Sequence, residues 1–185
     1  EEMYPEEEHL NYDFGALETV MEGASRKGHF NGVAIVVRKL FDIVHPDRAY
    51  FGEKDFQQLA IIQQLVKQTK QPVEIIPCPI VRETDGLAMS SRNERLTKEE
   101  RKLAPFIFQT LQAAKTRIPA LNPDELKKWL AGEFDKKGTF RLDYFEIADD
   151  TNLQPVHSWN QYKGTMGFMA VYLGNVRLID NIRFI

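Results

Sequence analysis

The sequence contains a single cysteine, Cys78, and only four histidines, His9, His29, His45 and His157, scattered along the chain. One thiol excludes an intramolecular disulfide framework and a thiolate zinc cluster, and it favours a reducing compartment. Histidines so far apart argue against a metal site built on imidazoles. Positive charge is not in excess either: 24 Lys and Arg stand against 27 Asp and Glu, a formal net charge of -3. The phosphate-neutralising footprint of a nucleic-acid binder is therefore missing, and no nucleic-acid partner is expected. No apolar run approaches a membrane span and the start carries no signal-peptide core, which predicts a cytoplasmic protein with no membrane partner. G-x-x-x-x-G-K-[ST] and G-x-G-x-x-G are both absent, so neither a Walker loop nor a dinucleotide fingerprint is available. Internal repeats and low-complexity segments are also lacking.

What is present is enough apolar material for a sizeable core, 43% of 185 residues, in one large domain or two small ones. The first residue is Glu1 and "EEMYPEEEH" is an acidic run with no element before it, the look of a piece of a longer chain. Over 33–44, "VAIVVRKLFDIV", the apolar residues Val33, Val36, Val37, Leu40, Phe41 and Val44 recur at helical spacing despite their β-branching, so a helix is predicted. His45-Pro46-Asp47 ends it. "RAYF" (48–51) reads as a strand, "GEKD" (52–55) as a loop, and Phe56, Leu59, Ile62 and Val66 as the stripe of a second helix to about Lys70. Pro72 stops that helix before the strand "VEII" (73–76). Strand, loop, helix, strand within thirty residues is a βαβ unit and implies a parallel sheet, here incomplete, with further strands expected upstream of Glu1.

Beyond Pro77 and Pro79 the pattern changes. Thr97-Lys98-Glu99-Glu100 is a capping box, predicted to open one helix whose buried stripe is Leu103, Phe106, Ile107, Leu111 and Ala114. Asn122-Pro123-Asp124-Glu125 starts another, carrying Leu126, Trp129 and Leu130. Three strands follow at 139–148, 165–173 and 176–184, the last two joined by the hairpin signal Gly174-Asn175. Helices followed by antiparallel strands predict a small α+β domain, with the boundary near Val81.

In open parallel sheets ligands bind at the carboxyl ends of the strands. "FGEKD" falls there. Gly52 allows close approach to the backbone, the helix opening near Asp55 presents amides, Lys54 offers a cation for phosphate and Asp55 an acceptor for ribose hydroxyls. The mundane alternative makes Asp55 an N-cap and Lys54 a solvated charge. Gln57 and Gln58 lie in the first helical turn, one of them turned toward the same cleft or both on the surface. His29 before Phe30 reads as a structural or capping group, Arg26 and Lys27 as local charge, and Met166, Phe168 and Met169 as core of an alternating strand. "GLAMSSRN" (86–93) sets a methionine, two hydroxyls and a guanidinium in a row. If the small domain folds over the sheet edge, Ser90, Ser91 and Arg92 would face outer phosphates beside Lys54, with Met89 against a base.

The segments "HFNGVAIVVRKLF", "PDRAYFGEKDFQQLAIIQQLV", "VRETDGLAMSSRN" and "RLIDNI" together resemble the pantothenate synthetase family, along the whole chain and most strongly over 29–96. The resemblance implies a Rossmann-like nucleotidyltransferase of the HIGH superfamily, with 1–81 as the carboxyl-terminal part of the nucleotide-binding domain and 82–185 as a small α+β lid. It implies a ligase that makes pantoyl adenylate from ATP and pantoate, releases pyrophosphate, then joins the acyl group to β-alanine and releases AMP, with Mg²⁺ assisting, in a homodimer. By position, Gly52, Glu53, Lys54 and Asp55 resemble the ATP loop, Gln58 the pantoate-binding glutamine, Val81 a backbone contact to adenine, and Met89, Ser90, Ser91 and Arg92 a counterpart of the KMSKS signature. Lys54, Ser90, Ser91 and Arg92 are thereby implied as catalytic. The family's amino-terminal third, with its M-G-x-L-H-x-G-H segment, has no counterpart in these 185 residues, which predicts that they alone make no pantothenate at a rate comparable with a full-length family member. Another adenylyltransferase of the superfamily and a non-catalytic nucleotide-binding module are the alternatives.

Overall fold

The computed structural model describes residues 10–161 and 163–185, so the opening acidic run and His9 lie outside the described residues. The chain divides into two compact units, the first ending at Pro79 and the second running from Ile80 to Ile185.

In the first unit a 3-10 turn at Gly15–Glu18 and a short helix α1, Met21–Ser25, precede α2, His29–Val44. Helix α2 starts four residues earlier than the sequence pattern indicates. Its inward stripe is Phe30, Val33, Ala34, Val37 and Phe41, at spacings of three and four, and the burial of Phe30, Ala34 and Phe41 outweighs the modest helix propensity of the β-branched residues. The helix stops where His45 takes a left-handed conformation ahead of Pro46. Strand β1, Arg48–Gly52, then leads through a 3-10 turn at Glu53–Asp55 into α3, Phe56–Thr69, and back to β2, Glu74–Cys78. The two strands pair in parallel from Arg48↔Glu74 to Gly52↔Cys78, as the βαβ pattern requires.

Helix α3 carries two buried stripes where the sequence pattern indicated one. Ile61 and Leu65 join Phe14, Phe30 and Ala34 in one cluster, while Ile62 and Val66 join Phe41, Val73, Ala49, Phe51 and Ile75 in another. The alternation of β1 puts Ala49 and Phe51 on this second cluster and leaves Tyr50 64% exposed on the opposite face. The segment before α1 is tied to α2 by polar contacts: Tyr12 N–H donates to Asn31 Oδ1 at 2.9 Å, Asn31 Nδ2 donates to the Leu10 carbonyl at 3.0 Å, and Arg38 Nη1 donates to the Tyr12 hydroxyl at 2.9 Å.

The second unit packs three helices on a three-stranded antiparallel sheet in the order β3-β4-β5. The helices are α4, Lys98–Leu103, α5, Phe106–Lys115, and α6, Pro123–Lys137; the strands are β3, Phe140–Asp149, β4, Thr165–Leu173, and β5, Val176–Arg183. The single helix expected after Thr97 is two helices. Pro105 has no N–H to give and its ring would strike the carbonyl one turn back, so the helix breaks there and restarts. The break turns Leu103 outward, 37% exposed, while Ile107, Leu111 and Ala114 keep the buried positions expected of them. The expected capping box forms, with Thr97 Oγ1 accepting from Glu100 N–H at 3.2 Å, and the structure shows a second at the start of α6, where Asn122 Oδ1 accepts from Glu125 N–H at 2.9 Å, each worth on the order of 1 kcal/mol.

The core of this unit gathers Leu126, Leu130 and Phe134 of α6 against Phe140, Ile147, Met169, Val171 and Leu178 of the sheet. Phe106, Phe134 and Phe140 form a ring trio with centroids 5.2 to 5.5 Å apart. Met166, Phe168 and Met169 are core as expected. The expected alternation of β4 does not hold, because it is the middle strand and nearly every residue is buried. Gly167 belongs to that crowding, since a Cβ there would lie 2.6 Å from the Phe184 ring.

Candidate functional site

Strand β1 ends at Gly52, opposite Cys78 of β2, and at this carboxyl end the chain turns at once into Glu53, Lys54 and Asp55. These residues form a 3-10 turn continuous with α3 and not the open loop expected. Gly52 has an ordinary φ of -71°, and a Cβ built on it would meet nothing within 4 Å. The backbone does not need glycine here, and the space above it stays open. Asp55 stands at the N-cap position of α3 but makes no side-chain cap hydrogen bond, so it is not the capping residue of the mundane reading. Its carboxylate, half exposed, lies 3.4 Å from Lys54 Nζ, and the Lys54 side chain is only 18% exposed. A cation that well covered is not the solvated surface lysine of the alternative reading.

The two glutamines that follow separate. Gln58 is half-buried. Gln57 is 5% exposed and spends its whole amide on the chain before it: Nε2 donates to the carbonyls of Leu17 and Val20, and Oε1 accepts from Glu22 N–H. A surface position, one of the two that the sequence leaves open, is thereby excluded for it. The signal that identifies it is the spacing of four through Gln57, Ile61 and Leu65, which places it on the inner stripe of α3.

Through Glu22 this anchor reaches the basic turn before α2. Arg26 Nη1 lies 2.8 Å from His29 Nε2 and 3.7 Å from Glu22 Oε2. Burial at the helix start holds the His29 imidazole below its ordinary range, Arg26 pushes the same way and Glu22 opposes. His29 is thus the neutral acceptor for Arg26 at neutral pH. Next to it, Asn11, Tyr12, Asp13, Arg26, Lys27 and Asn31 line a cleft of about 420 Å³.

In the second unit, residues 81–89 form a tight two-sided turn. Met89 N–H donates to the Val81 carbonyl, Glu83 N–H to Leu87 and Gly86 N–H to Glu83. Arg82 and Ala88 face each other as an antiparallel bridge, and Gly86 supplies the positive φ of 92° that the reversal needs. Leu87 and Ala88 are buried and anchor the turn, while Val81 and Met89 are 65% and 49% exposed. A 3-10 turn over Ser91–Arg95 follows directly, with Ser90 as its N-cap and Ser90 Oγ accepting from Arg92 N–H at 3.2 Å. Ser91 and Arg92 are exposed. Asp85 ties this turn to α4, accepting from Arg101 Nη1 at 2.6 Å, and that bond holds its carboxyl below the usual range. "MSSR" is thereby an ordered corner and not a slack loop.

Among the described residues, no group of three or more His, Cys, Asp and Glu could hold a metal ion, and no helix is long and apolar enough to cross a membrane.

A family model described as Pantoate-beta-alanine ligase matches residues 1–183. The chain is 52% identical over 184 residues to the pantothenate synthetase of Bacteroides fragilis strain YCH46, covering 100% of this chain and 65% of that protein. It is 48% identical to that of Porphyromonas gingivalis, covering 100% of this chain and 66% of the relative. The chain therefore spans about 65% of the length of the curated relatives it matches. Among solved structures, the pantothenate synthetase of Thermus thermophilus superposes with a TM-score of 0.90 at 40% identity, over 99% of this chain and 66% of that one. The pantoate-beta-alanine ligase of Francisella tularensis, complexed with beta-gamma ATP and beta-alanine, gives 0.73 at 32% identity, over 98% of this chain and 61% of that one. With the family model matched over residues 1–183 and relatives at about half identity, the chain belongs to the pantoate-beta-alanine ligase family.

Proposed function

We propose that this chain serves an ATP-dependent ligase that condenses pantoate with β-alanine, working in the cytoplasm as a homodimer. In the first step a pantoate carboxylate oxygen attacks the α-phosphorus of ATP, the bond to the β-phosphate breaks and pyrophosphate leaves. In the second the β-alanine amine attacks the acyl carbon of pantoyl adenylate, loses a proton, and AMP departs. Such chemistry asks the protein for positioning and for positive charge where pyrophosphate develops, more than for covalent help.

The observation that carries the reading is Lys54, a largely covered cation at the carboxyl end of β1 beside the open space over Gly52. In this reading the first unit is part of the nucleotide-binding domain and the second a small lid. Gly52, Glu53, Lys54, Asp55, Val81, Met89, Ser90, Ser91 and Arg92 bind ATP, Lys54, Ser90, Ser91 and Arg92 act in catalysis, and Gln58 holds pantoate. Mg²⁺ fits as an ion carried by the nucleotide phosphates, with Asp55 an oxygen donor of the right kind, and it would offset charge on the leaving pyrophosphate. The presence of ATP and β-alanine in the Francisella structure supports the substrate assignment.

The test is pantoate-dependent exchange of pyrophosphate into ATP by the full-length protein, followed by AMP release on addition of β-alanine. Exchange without pantoate, or with other carboxylates at equal rate, would overturn the proposal.

A further inference from the structure

The closing "RLIDNI" contains a carboxylate that a guanidinium grips by both oxygens. Asp180, in β5, has a side chain only 2% exposed. It receives Arg82 Nη1 on Oδ2 at 2.7 Å and Arg82 Nη2 on Oδ1 at 2.9 Å. The same guanidinium donates from Nη1 to the Gly86 carbonyl at 3.1 Å and from Nη2 to the Asn181 carbonyl at 3.2 Å, and its central carbon lies 3.6 Å from the centroid of the Phe108 ring. One side chain therefore joins β5, α5 and both arms of the 82–88 turn.

An ion pair this deep contributes little net stability over an apolar pair of the same size, since desolvation offsets the attraction, but it accepts only one geometry. What it fixes is the corner that presents Met89 to Arg92. Arg82 faces Ala88 across the turn, Met89 N–H closes on Val81, and Asn93 Nδ2 returns to the Ala88 carbonyl at 3.0 Å.

We propose that Arg82 and Asp180 are positioning residues that hold segment 81–93 in the shape with which Ser90, Ser91 and Arg92 meet phosphate; the proposal rests on the reading of that segment as an ATP loop. Arg82 touches no substrate in this scheme. A lysine at 82 keeps the charge but not the fork, and cannot reach the carboxylate, Gly86 and Asn181 together.

The experiment compares Arg82→Lys with the parent in the full-length protein. Amide exchange at Leu87, Met89 and Asn93 is expected to accelerate about tenfold or more while β4 and α6 amides keep their protection. KM for ATP is expected to rise about fivefold or more and KM for pantoate to change by less than about twofold. Unaltered loop exchange, or loss of protection spreading equally into β4, overturns the proposal. Should Arg82→Lys fail to fold, Asp180→Asn, which keeps the shape and removes the charge, is read by the same criteria. Arg92→Ala is assayed beside them. If Arg92→Ala alters ATP kinetics and Arg82→Lys does not, positioning is refuted. If neither does, the ATP-loop reading has failed, and the exchange rates alone decide whether the pair holds the corner.

Discussion

The side-chain nitrogen of Gln57 lies 2.7 Å from the carbonyl oxygen of Leu17, forty residues earlier in the chain. With the bonds to Val20 and Glu22, this one amide satisfies three backbone groups of the segment that leads into α1. Gln57→Leu conserves bulk and leaves those groups without a partner, so a loss of about 2–4 kcal/mol is expected. Urea unfolding measures it, and limited proteolysis should show cutting within 15–26 ahead of global unfolding. A loss below about 1 kcal/mol would mean that water replaces the glutamine without penalty.

Lys54→Ala is expected to slow adenylation by on the order of a hundredfold or more while shifting the melting temperature little. Pyrophosphate release without β-alanine isolates that step. A change of less than about threefold would return Lys54 to the class of ordinary charges, worth under about 1 kcal/mol.

Arg92→Ala is expected to weaken adenylation by about ten- to a hundredfold, the value of one charge-assisted hydrogen bond. Ser90→Ala should show a smaller rate effect and some loosening of the corner, because Ser90 Oγ also caps the following turn. Equal losses that track a lowered melting temperature would mean that the residues only shape the chain.

Phe134 is 1% exposed and meets both Phe106 and Phe140 edge-on. Phe134→Ala is expected to cost about 3–5 kcal/mol of stability. Phe134→Leu should recover more than half of that, and equal losses for the two would show that the site collapses around any apolar side chain.

Acid should weaken the fold partly through His29. Its imidazole is less basic folded than unfolded, so below its ordinary pKa the unfolded chain takes up more protons, and stability falls as pH drops through about 6.5. Above that range His29 is neutral in both states and contributes no slope. His29→Gln should flatten this part of the profile, measured by denaturant unfolding between about pH 5 and pH 7.5. An unchanged slope would assign the acid sensitivity to other groups.

The strands, the parallel pairing and the hairpin were legible because each rests on local pattern: Ala49 and Phe51 alternate with Tyr50, and Gly174-Asn175 can only turn. The break at Pro105 was equally local but was hidden by the apolar spacing that continues across it, since Leu103 sits in register with Ile107. The position of Gln57 stayed open because its polarity pointed away from the inner stripe that its spacing with Ile61 and Leu65 indicates, and its partners at Leu17, Val20 and Glu22 are backbone groups that no side-chain pattern announces. The motif residues Lys54 and Ser90 to Arg92 were visible as letters. Their geometry was not, because the cover over Lys54 and the grip of Asp180 on Arg82 are contacts made by the fold.

The two hairpin strands β4 and β5 close over Gly174 and Asn175, whereas β3 reaches β4 only across residues 150–164. Time separates these events. A hairpin closes in about 1–10 μs, and the longer connection must first surrender more chain entropy. The β4–β5 ribbon is therefore expected to close before β3 joins the sheet. Substitutions at Asn175 should act chiefly on the folding rate and those in β3 chiefly on the unfolding rate, so the order in which the sheet assembles is written in the lengths of its connections.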